Sequence, residues 1–209
     1  MIVDAGFLTE WQHRGHVYGE CMSHADSDLM YIHIPKNASS WTKPNLLDFG
    51  WEFYNYHHDH LNKLAIVVLR DPVERWLSGI AEYMTLYHPS FEFKDQETVE
   101  LVFDRITFDD HTECQVKFID GLDTDRCIFL RCDTNYRSNF SKLIREYFGD
   151  NKYDRYEYQH VSEDSKDRKY FKQIFKNLID KNPTYLQKVQ DHFKVDYDLI
   201  NTVTFYGEQ

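Results

Sequence analysis

Cysteine is scarce in this sequence, and long apolar runs are missing. The four cysteines, Cys21, Cys114, Cys127 and Cys132, form no CxxC pair and no dense disulfide pattern, which argues against a cysteine-based metal or redox motif. No stretch approaches the roughly 18 apolar residues of a membrane span. The N-terminus also lacks the basic segment and apolar run of a signal peptide. We therefore expect a soluble, unprocessed protein in the cytoplasm.

Positive charge is also in deficit. The 209 residues include 24 Lys and Arg against 35 Asp and Glu, which gives a formal net charge of −11. Proteins that bind nucleic acids or anionic membranes neutralise phosphates with a surplus of Lys and Arg. We expect neither partner, and any anionic ligand has to meet a local basic pocket.

Glycine is absent between Gly19 and Gly50. The phosphate loop of nucleoside triphosphatases, GxxxxGK[ST], needs glycines so that its backbone can wrap a triphosphate. The stretch YIHIPKNASSW, residues 31–41, also places its lysine before the small residues and not after them. The sequence therefore argues strongly against a Walker-type loop.

Predicted strands alternate with predicted helices along the chain. The strands are expected at 28–34, 51–56, 64–69 and 127–130. One helix is expected to begin at Pro72, and residues 95–120 are expected to be largely helical with a gap near 109–111. A further helix is expected over 136–148, and two or three more after Ser162. The unbroken apolar run Leu64–Leu69 is typical of a parallel strand buried on both faces. These patterns predict one α/β domain over residues 1–209, a three-layer sandwich with a central parallel sheet, an irregular N-terminal arm (1–27) and a helical C-terminal part (162–209).

The stretch YIHIPKNASSW places a lysine where a strand ends and a helix begins. If Tyr31–Ile34 ends a strand, Pro35–Ser39 is the turn at its carboxyl end, the edge at which open α/β sheets bind ligands. Ser39 and Ser40 are the candidate helix caps, and we favour Ser40 because Pro44 then lies among the residues whose N–H groups lack an intrahelical partner. The N-terminal end of the helix and the charge of Lys36 together predict an anion site.

A second strand-to-helix junction follows at VVLRDPVERWLSGI. Asp71 can cap the helix, Pro72 suits its first position, and Glu74 can complete a capping box. Arg70 ends the strand and Ser78 lies two turns into the helix. A guanidinium and a hydroxyl in this arrangement suit a terminal phosphate.

These two stretches resemble the donor-binding motifs of sulfotransferases. IPKNASSW is similar to their 5′-phosphosulfate loop, usually written PKxGTTxL, and VVLRDPVERWLSGI is similar to their 3′-phosphate motif, RDPxxRxxSxY. Weaker similarities to the carbohydrate-directed, Golgi-type branch occur at HTECQVKFI, QHVSEDS and KVQDHFKVDYDLI. The chain departs from the pattern at Ala38, where glycine is common, at Trp41, and at Ile80-Ala81. The resemblance covers about Met30 to Ile200.

The resemblance implies a P-loop-like fold and a function. It implies that 3′-phosphoadenylyl sulfate (PAPS) is the sulfuryl donor, that adenosine 3′,5′-bisphosphate is the product, and that no metal is required. Lys36 would neutralise the oxygen that bridges to the 5′-phosphate, while Arg70 and Ser78 would bind the 3′-phosphate. The implied donor-binding residues are Pro35, Lys36, Asn37, Ala38, Ser39, Ser40, Trp41, Arg70 and Ser78.

The acceptor hydroxyl needs a base, and the segment YNYHHDH is where we expect it. Histidine titrates near neutrality, and His58 and His60 share one face if the preceding strand continues through them. Some similar carbohydrate sulfotransferases use a histidine after this strand and others use a glutamate near the first loop. We choose His58 first, His60 second and Glu52 as the carboxylate alternative. A metal site or a plain solvated cluster is the competing interpretation of these histidines.

Several residues stay open between a functional and a structural role. His111 and Gln115, which the spacing places one helical turn apart, either contact the ligands or support the fold. Arg75 either joins the phosphate site or pairs on the helix surface, and Arg131 is either a pocket cation or a surface residue. The aromatic residues that could stack on a ligand, but that are more often core, are Tyr31, Trp41, Trp51 and Trp76.

The sequence thus predicts a PAPS-dependent sulfotransferase that acts on a hydroxyl, with a saccharide as the expected acceptor. One rival is a kinase-like P-loop phosphotransferase that uses a nucleoside triphosphate and magnesium. The other is a catalytically inactive family member that binds the nucleotide without turnover.

Overall fold

The computed structural model describes residues 18–55, 57–89, 96–149 and 165–208, and the side chains of 58, 59 and 96–98 lie outside this description. The strands are β1 (Cys21–Ser23), β2 (Leu29–Ile32), β3 (Glu52–Tyr54), β4 (Leu64–Leu69) and β5 (Cys127–Arg131). The helices are α1 (Ser39–Asp48), α2 (Pro72–Tyr87), α3 (Gln96–Arg105), α4 (Tyr136–Phe148), α5 (Lys166–Lys181), α6 (Pro183–His192) and α7 (Lys194–Thr202). Short 3₁₀ helices cover His57–His60, Gln115–Ile119 and Thr124–Arg126.

The described chain forms two compact units. The sheet unit comprises residues 18–55, 57–71, 115–149 and 199–208, and the helical unit comprises residues 72–89, 96–114 and 165–198. Among the described residues, none of the helices has the length and apolar character needed to cross a membrane.

The sheet unit contains a five-stranded mixed sheet in the order β3-β1-β2-β4-β5. β2, β4 and β5 are parallel, whereas β1 runs antiparallel to both of its neighbours. The fold is therefore α/β with a parallel core, and the predicted parallel sheet holds for β2, β4 and β5 but not for β1. Cys21 pairs with both Ile32 and Tyr54. A three-residue strand held by partners on both sides carries too little periodicity to be predicted from its own sequence.

Both faces of the parallel core are buried. Ile66 and Val68 pack in one cluster with residues of α1 and α4, while Ala65 and Val67 pack on the other face with Phe118. This double burial explains the continuous apolar run of β4, whose predicted bounds are confirmed.

Several helices also lie where the sequence predicts them. α4 has the predicted bounds and is followed by Gly149 at φ 81°, α2 begins at Pro72, and three helices follow Ser165. The helical prediction over 95–120 is right only for α3 and for the 3₁₀ helix Gln115–Ile119. Predictions that fall on residues 1–17, and on QHVSEDS up to residue 164, lie outside the described residues.

The helical unit is organised around a buried tryptophan of α2. The ring of Trp76 lies 5.5 Å from Phe103 and 5.7 Å from Phe175, and its indole N–H donates to the Ile106 carbonyl at 2.9 Å. Trp76, Ile80 and Tyr83 recur at helical spacing and all have 0% exposure, so this helix places an apolar stripe in the core.

A buried tyrosine of α4 gives the sheet unit a testable dependence on alkaline pH. Burial raises the pKa of the Tyr136 phenol well above its ordinary value, the neighbouring Tyr31 adds to the shift, and the hydrogen bond with Thr42 opposes it. The unfolded chain ionises at this residue from about pH 10, whereas the folded chain keeps the phenol neutral. The free energy of unfolding should therefore fall above about pH 10, by up to about 1.4 kcal/mol per pH unit for this group.

In Tyr136→Phe this contribution to the slope should be absent when urea denaturation is followed from pH 9 to 11. Tyr170→Phe, at a tyrosine with 56% exposure, is the matched control, and equal slopes in the two variants would contradict the prediction.

Candidate functional site

The loop after β2 makes its turn with left-handed backbone and without a serine cap. Lys36 has φ 68° and Ala38 has φ 58° and ψ 16°. Ala38 is the N-cap residue and makes no side-chain cap bond, so the prediction of Ser40 as the cap is wrong. Pro44 consequently lies inside α1, where its ring nitrogen cannot donate to the Ser40 carbonyl. A left-handed conformation costs an L-residue roughly 1–2 kcal/mol, and such strain is concentrated at ligand sites.

The left-handed turn leaves backbone donors at the start of α1. The N–H groups of Trp41 and Thr42 both donate to the Ala38 carbonyl at 3.0 Å. Within the described part of the chain, the N–H groups of Ala38 and Ser39 have no hydrogen-bond acceptor. A left-handed residue followed by a helical one turns successive N–H groups toward one concave side, where an anion can bind. These donors also lie at the positive end of the α1 dipole.

Two fully buried amides connect the loops after β2 and β4. Asn37 and Gln115 both have 0% exposure. The Asn37 amide donates to the Val68 carbonyl and to the Gln115 side-chain oxygen, both at 2.6 Å. Gln115 also accepts from the Arg70 N–H at 3.0 Å and donates to the Arg70 carbonyl at 2.9 Å. Gln115 therefore fixes the backbone of one junction and the Asn37 side chain of the other.

The loops that carry the two cations predicted to hold the donor meet at this edge of the sheet. The Arg70 guanidinium donates from Nη1 to the Lys36 carbonyl at 3.1 Å, across 34 residues of sequence. Both residues are partly exposed. β2 and β4 are adjacent parallel strands, so their carboxyl ends bring the two loops together. The result is a local basic site in a protein of net charge −11.

The other predicted donor-binding residues differ in accessibility. Pro35 is buried, Ser39 is half-buried and Ser40 is exposed. Trp41 is only 6% exposed, and its ring packs edge-on against Tyr136 and Phe140 in the core. Its backbone can serve a ligand, but its ring belongs to the core.

Ser78 belongs to the helical unit. There its hydroxyl donates to the Glu74 carbonyl, one turn earlier in α2, at 3.1 Å. This bond is the ordinary one for a serine inside a helix.

The histidine segment after β3 does not continue as a strand. β3 ends at Tyr54 and His57–His60 is a 3₁₀ helix, so the condition under which His58 and His60 would share a strand face is not met. The His60 ring lies 4.2 Å from the Tyr54 ring, and its Nε2 is buried with no hydrogen-bond partner in the described residues. The side chain of His58 lies outside the described residues. Glu52 is exposed and accepts from the Tyr54 hydroxyl at 3.2 Å.

Arg75 lies in a buried polar cluster of the helical unit, so the interpretation of Arg75 as a surface pair is wrong. Its guanidinium is 1% exposed and donates to the carbonyl oxygens of Glu113 and Asp110, the latter at 3.2 Å. Burial lowers the Arg75 pKa to about 10, and the carboxylate of Asp196 is the strongest of the nearby groups that oppose the shift. Gly79 permits the loop around His111 to approach α2 closely, since a Cβ at Gly79 would lie 2.1 Å from the His111 carbonyl oxygen.

His111 pairs with carboxylates of the same loop. Its Nδ1 lies 2.8 Å from Asp109 and 3.3 Å from Asp110, and the possible metal-ligating atoms of these three residues all lie within 4.8 Å of one another. His111 lies in a turn and Gln115 begins the 3₁₀ helix, so the expected one-turn helical relation between them is wrong.

The remaining open residues have structural contacts. Arg131 pairs with Glu208 at 2.7 Å and stacks over Phe205, with the guanidinium carbon 4.0 Å from the ring centre. Tyr31, Trp51 and Trp76 are at most 1% exposed and are core residues.

Comparisons with protein-family models, curated proteins and solved structures found no match for this chain. The geometry of the two loops and their resemblance to sulfotransferase motifs are therefore the basis for assigning a function.

Proposed function

We propose that this protein is a PAPS-dependent sulfotransferase that sulfates a hydroxyl group, with a P-loop-like three-layer sandwich as its fold. The observation that carries the proposal is the contact between Arg70 and the Lys36 loop at the carboxyl ends of β2 and β4. One loop would hold the 5′-phosphosulfate and the other the 3′-phosphate, so a single small nucleotide has to reach both.

The backbone of the first loop supports this proposal. Sulfotransferase motifs commonly have glycine at the position that Ala38 occupies, and Ala38 adopts the left-handed conformation that glycine favours. The alanine thus departs from the motif in identity while keeping the backbone geometry. The donors of Ala38 and Ser39 suit phosphate or sulfonate oxygens.

The proposed reaction is an in-line transfer. The acceptor oxygen forms a bond to sulfur while the bond from sulfur to the 5′-phosphate oxygen breaks, and the acceptor proton passes to the base. Negative charge then grows on the leaving oxygen, where Lys36 and the loop N–H groups would stabilise it. As in phosphoryl transfer, most of the rate enhancement would come from alignment and charge stabilisation.

The donor assignment is tested by thermal denaturation with adenosine 3′,5′-bisphosphate, with ATP and magnesium, and with neither. The bisphosphate should stabilise the wild-type protein without metal, by about 2.7 kcal/mol at 100 times its Kd. Arg70→Ala should abolish this stabilisation and Lys36→Ala should weaken it. Arg145→Ala and Lys142→Ala, at exposed positions of α4, are the matched controls and should respond like wild type.

The same experiment separates the rival functions. Stabilisation by ATP with magnesium alone would favour a kinase-like phosphotransferase, and indifference to both nucleotides would contradict any donor site here. A protein that binds the bisphosphate but transfers no labelled sulfate to a panel of saccharides and small hydroxylated compounds would be an inactive binder.

A further inference from the structure

An open cavity in the sheet unit is large enough for a small organic ligand. Its volume is about 560 Å³, and it is lined by Tyr18, His57, Val116, Lys117 and Asp120. Ligand pockets in proteins commonly measure about 300–1,000 Å³. A mono- or disaccharide fits this size.

The cavity shares two elements with the candidate site. His57 begins the 3₁₀ helix that contains the candidate bases His58 and His60. Val116 and Lys117 follow Gln115, the amide that fixes the loops after β2 and β4. A molecule in this cavity therefore contacts both the segment proposed to supply the base and the element that holds the donor loops.

One wall of the cavity is rigidly built. His57 is 2% exposed, and its ring nitrogens lie 3.2 Å from the Gly19 carbonyl and 3.0 Å from the Asp120 carbonyl. A neutral imidazole carries one N–H, so both contacts are hydrogen bonds at once only in the imidazolium form. A Cβ at Gly19, which has φ 105°, would lie 2.8 Å from His57 Nδ1. Glycine is thus required where the ring approaches the backbone.

The accessible side chains of the cavity combine an aromatic ring with one donor and one acceptor. The Tyr18 ring is held edge-on against Phe118 at 5.2 Å. Lys117 and Asp120 are exposed, and their opposite charges leave this part of the wall without an excess of either sign. Sugar rings present an apolar C–H face together with hydroxyls that both donate and accept, which suits this combination. A densely sulfated polymer would need a surplus of cations here.

We propose that this cavity is the acceptor site and that it binds an uncharged mono- or disaccharide. The Tyr18 ring lies against the sugar face, and Lys117 and Asp120 bond its hydroxyls. The role of acceptor rests on the proposed function, whereas the binding of sugar can be measured without a donor.

The binding is tested by saturation-transfer NMR titrations of the full chain with glucose, lactose, cellobiose and N,N′-diacetylchitobiose. At least one of these sugars should bind with a Kd below about 10 mM, within the weak range expected of a small ligand. Tyr18→Ala should weaken the binding about 10-fold, and Lys117→Ala and Asp120→Asn about 5-fold each, the size expected for a lost hydrogen bond. Tyr18→Phe keeps the ring and should retain most of the affinity. Tyr147→Ala and Lys142→Ala, at exposed positions of α4, are the controls and should bind like wild type.

Three results would overturn the proposal: no binding of any of these sugars, equal binding by the cavity and control variants, or a clear preference for glucuronic acid over glucose. Stabilisation by adenosine 3′,5′-bisphosphate is measured on the same proteins and should survive in Tyr18→Ala. Sugar binding without nucleotide binding would reject the proposed donor site and leave the cavity assignment standing. Nucleotide binding without sugar binding would reject the cavity assignment and leave the proposed donor site standing.

Discussion

Arg75→Met should lower the free energy of unfolding by about 3–5 kcal/mol, the range found when one partner of a buried ionic group is removed. The guanidinium is 1% exposed, donates to two carbonyl oxygens, and lies in the field of Asp196, Asp110 and Asp109. Methionine fills much of the same volume but supplies neither the donors nor the charge, so carbonyl and carboxylate groups lose their compensation inside the protein. Urea denaturation at pH 7 measures the loss.

Two substitutions control this result. Arg145→Met removes an arginine from an exposed position of α4 and should change the free energy of unfolding by no more than about 0.5 kcal/mol. Arg75→Lys keeps a positive charge but not the forked donors, and its cost should fall between the other two. If Arg75→Met were as stable as Arg145→Met, the buried cluster would not depend on the guanidinium.

His58→Ala should lower sulfate transfer by about 10²–10⁴-fold, the usual contribution of a positioned general base. The imidazole would take the acceptor proton in the transition state and make no contact with the nucleotide. Stabilisation by adenosine 3′,5′-bisphosphate should therefore stay at the wild-type value while turnover falls. The measurement is a labelled-sulfate transfer assay with a saccharide acceptor, paired with the thermal shift.

The competing bases are separated by matched variants. His60 Nε2 has no accessible surface for an acceptor hydroxyl, so His60→Ala should cost less activity than His58→Ala. Glu52→Gln, at an exposed residue that accepts from Tyr54, should leave turnover near wild type. Unchanged turnover in His58→Ala, together with a large loss in either of the others, would move the base to that residue.

The elements that local sequence predicts best are those with strong periodicity or clear ends. β4 is an unbroken apolar run because both of its faces are covered, and α4 ends where Gly149 permits a left-handed backbone. β1 could not be predicted in this way, because its three residues are held by pairing with β2 and β3. The conformation of the histidine segment could not be predicted for a related reason, since the short strand β3 ends at Tyr54 and residues His57–His60 form a 3₁₀ helix.

The candidate site likewise has some features that local sequence predicts and others that depend on the tertiary structure. The sequence by itself singled out Lys36 and Arg70 as candidate site residues, because each stands at a strand-to-helix junction with recognisable residues around it. Their contact, the left-handed turn at Ala38 and the bridging role of Gln115 could not be read from spacing. These features depend on which strands lie side by side and on which backbone groups the loops leave to be satisfied. Local sequence determined the ends of the strands and the charged residues placed there, and only the pairing of β2 with β4 decided that the loops carrying Lys36 and Arg70 would meet, because strand order is set by burial of the whole sheet.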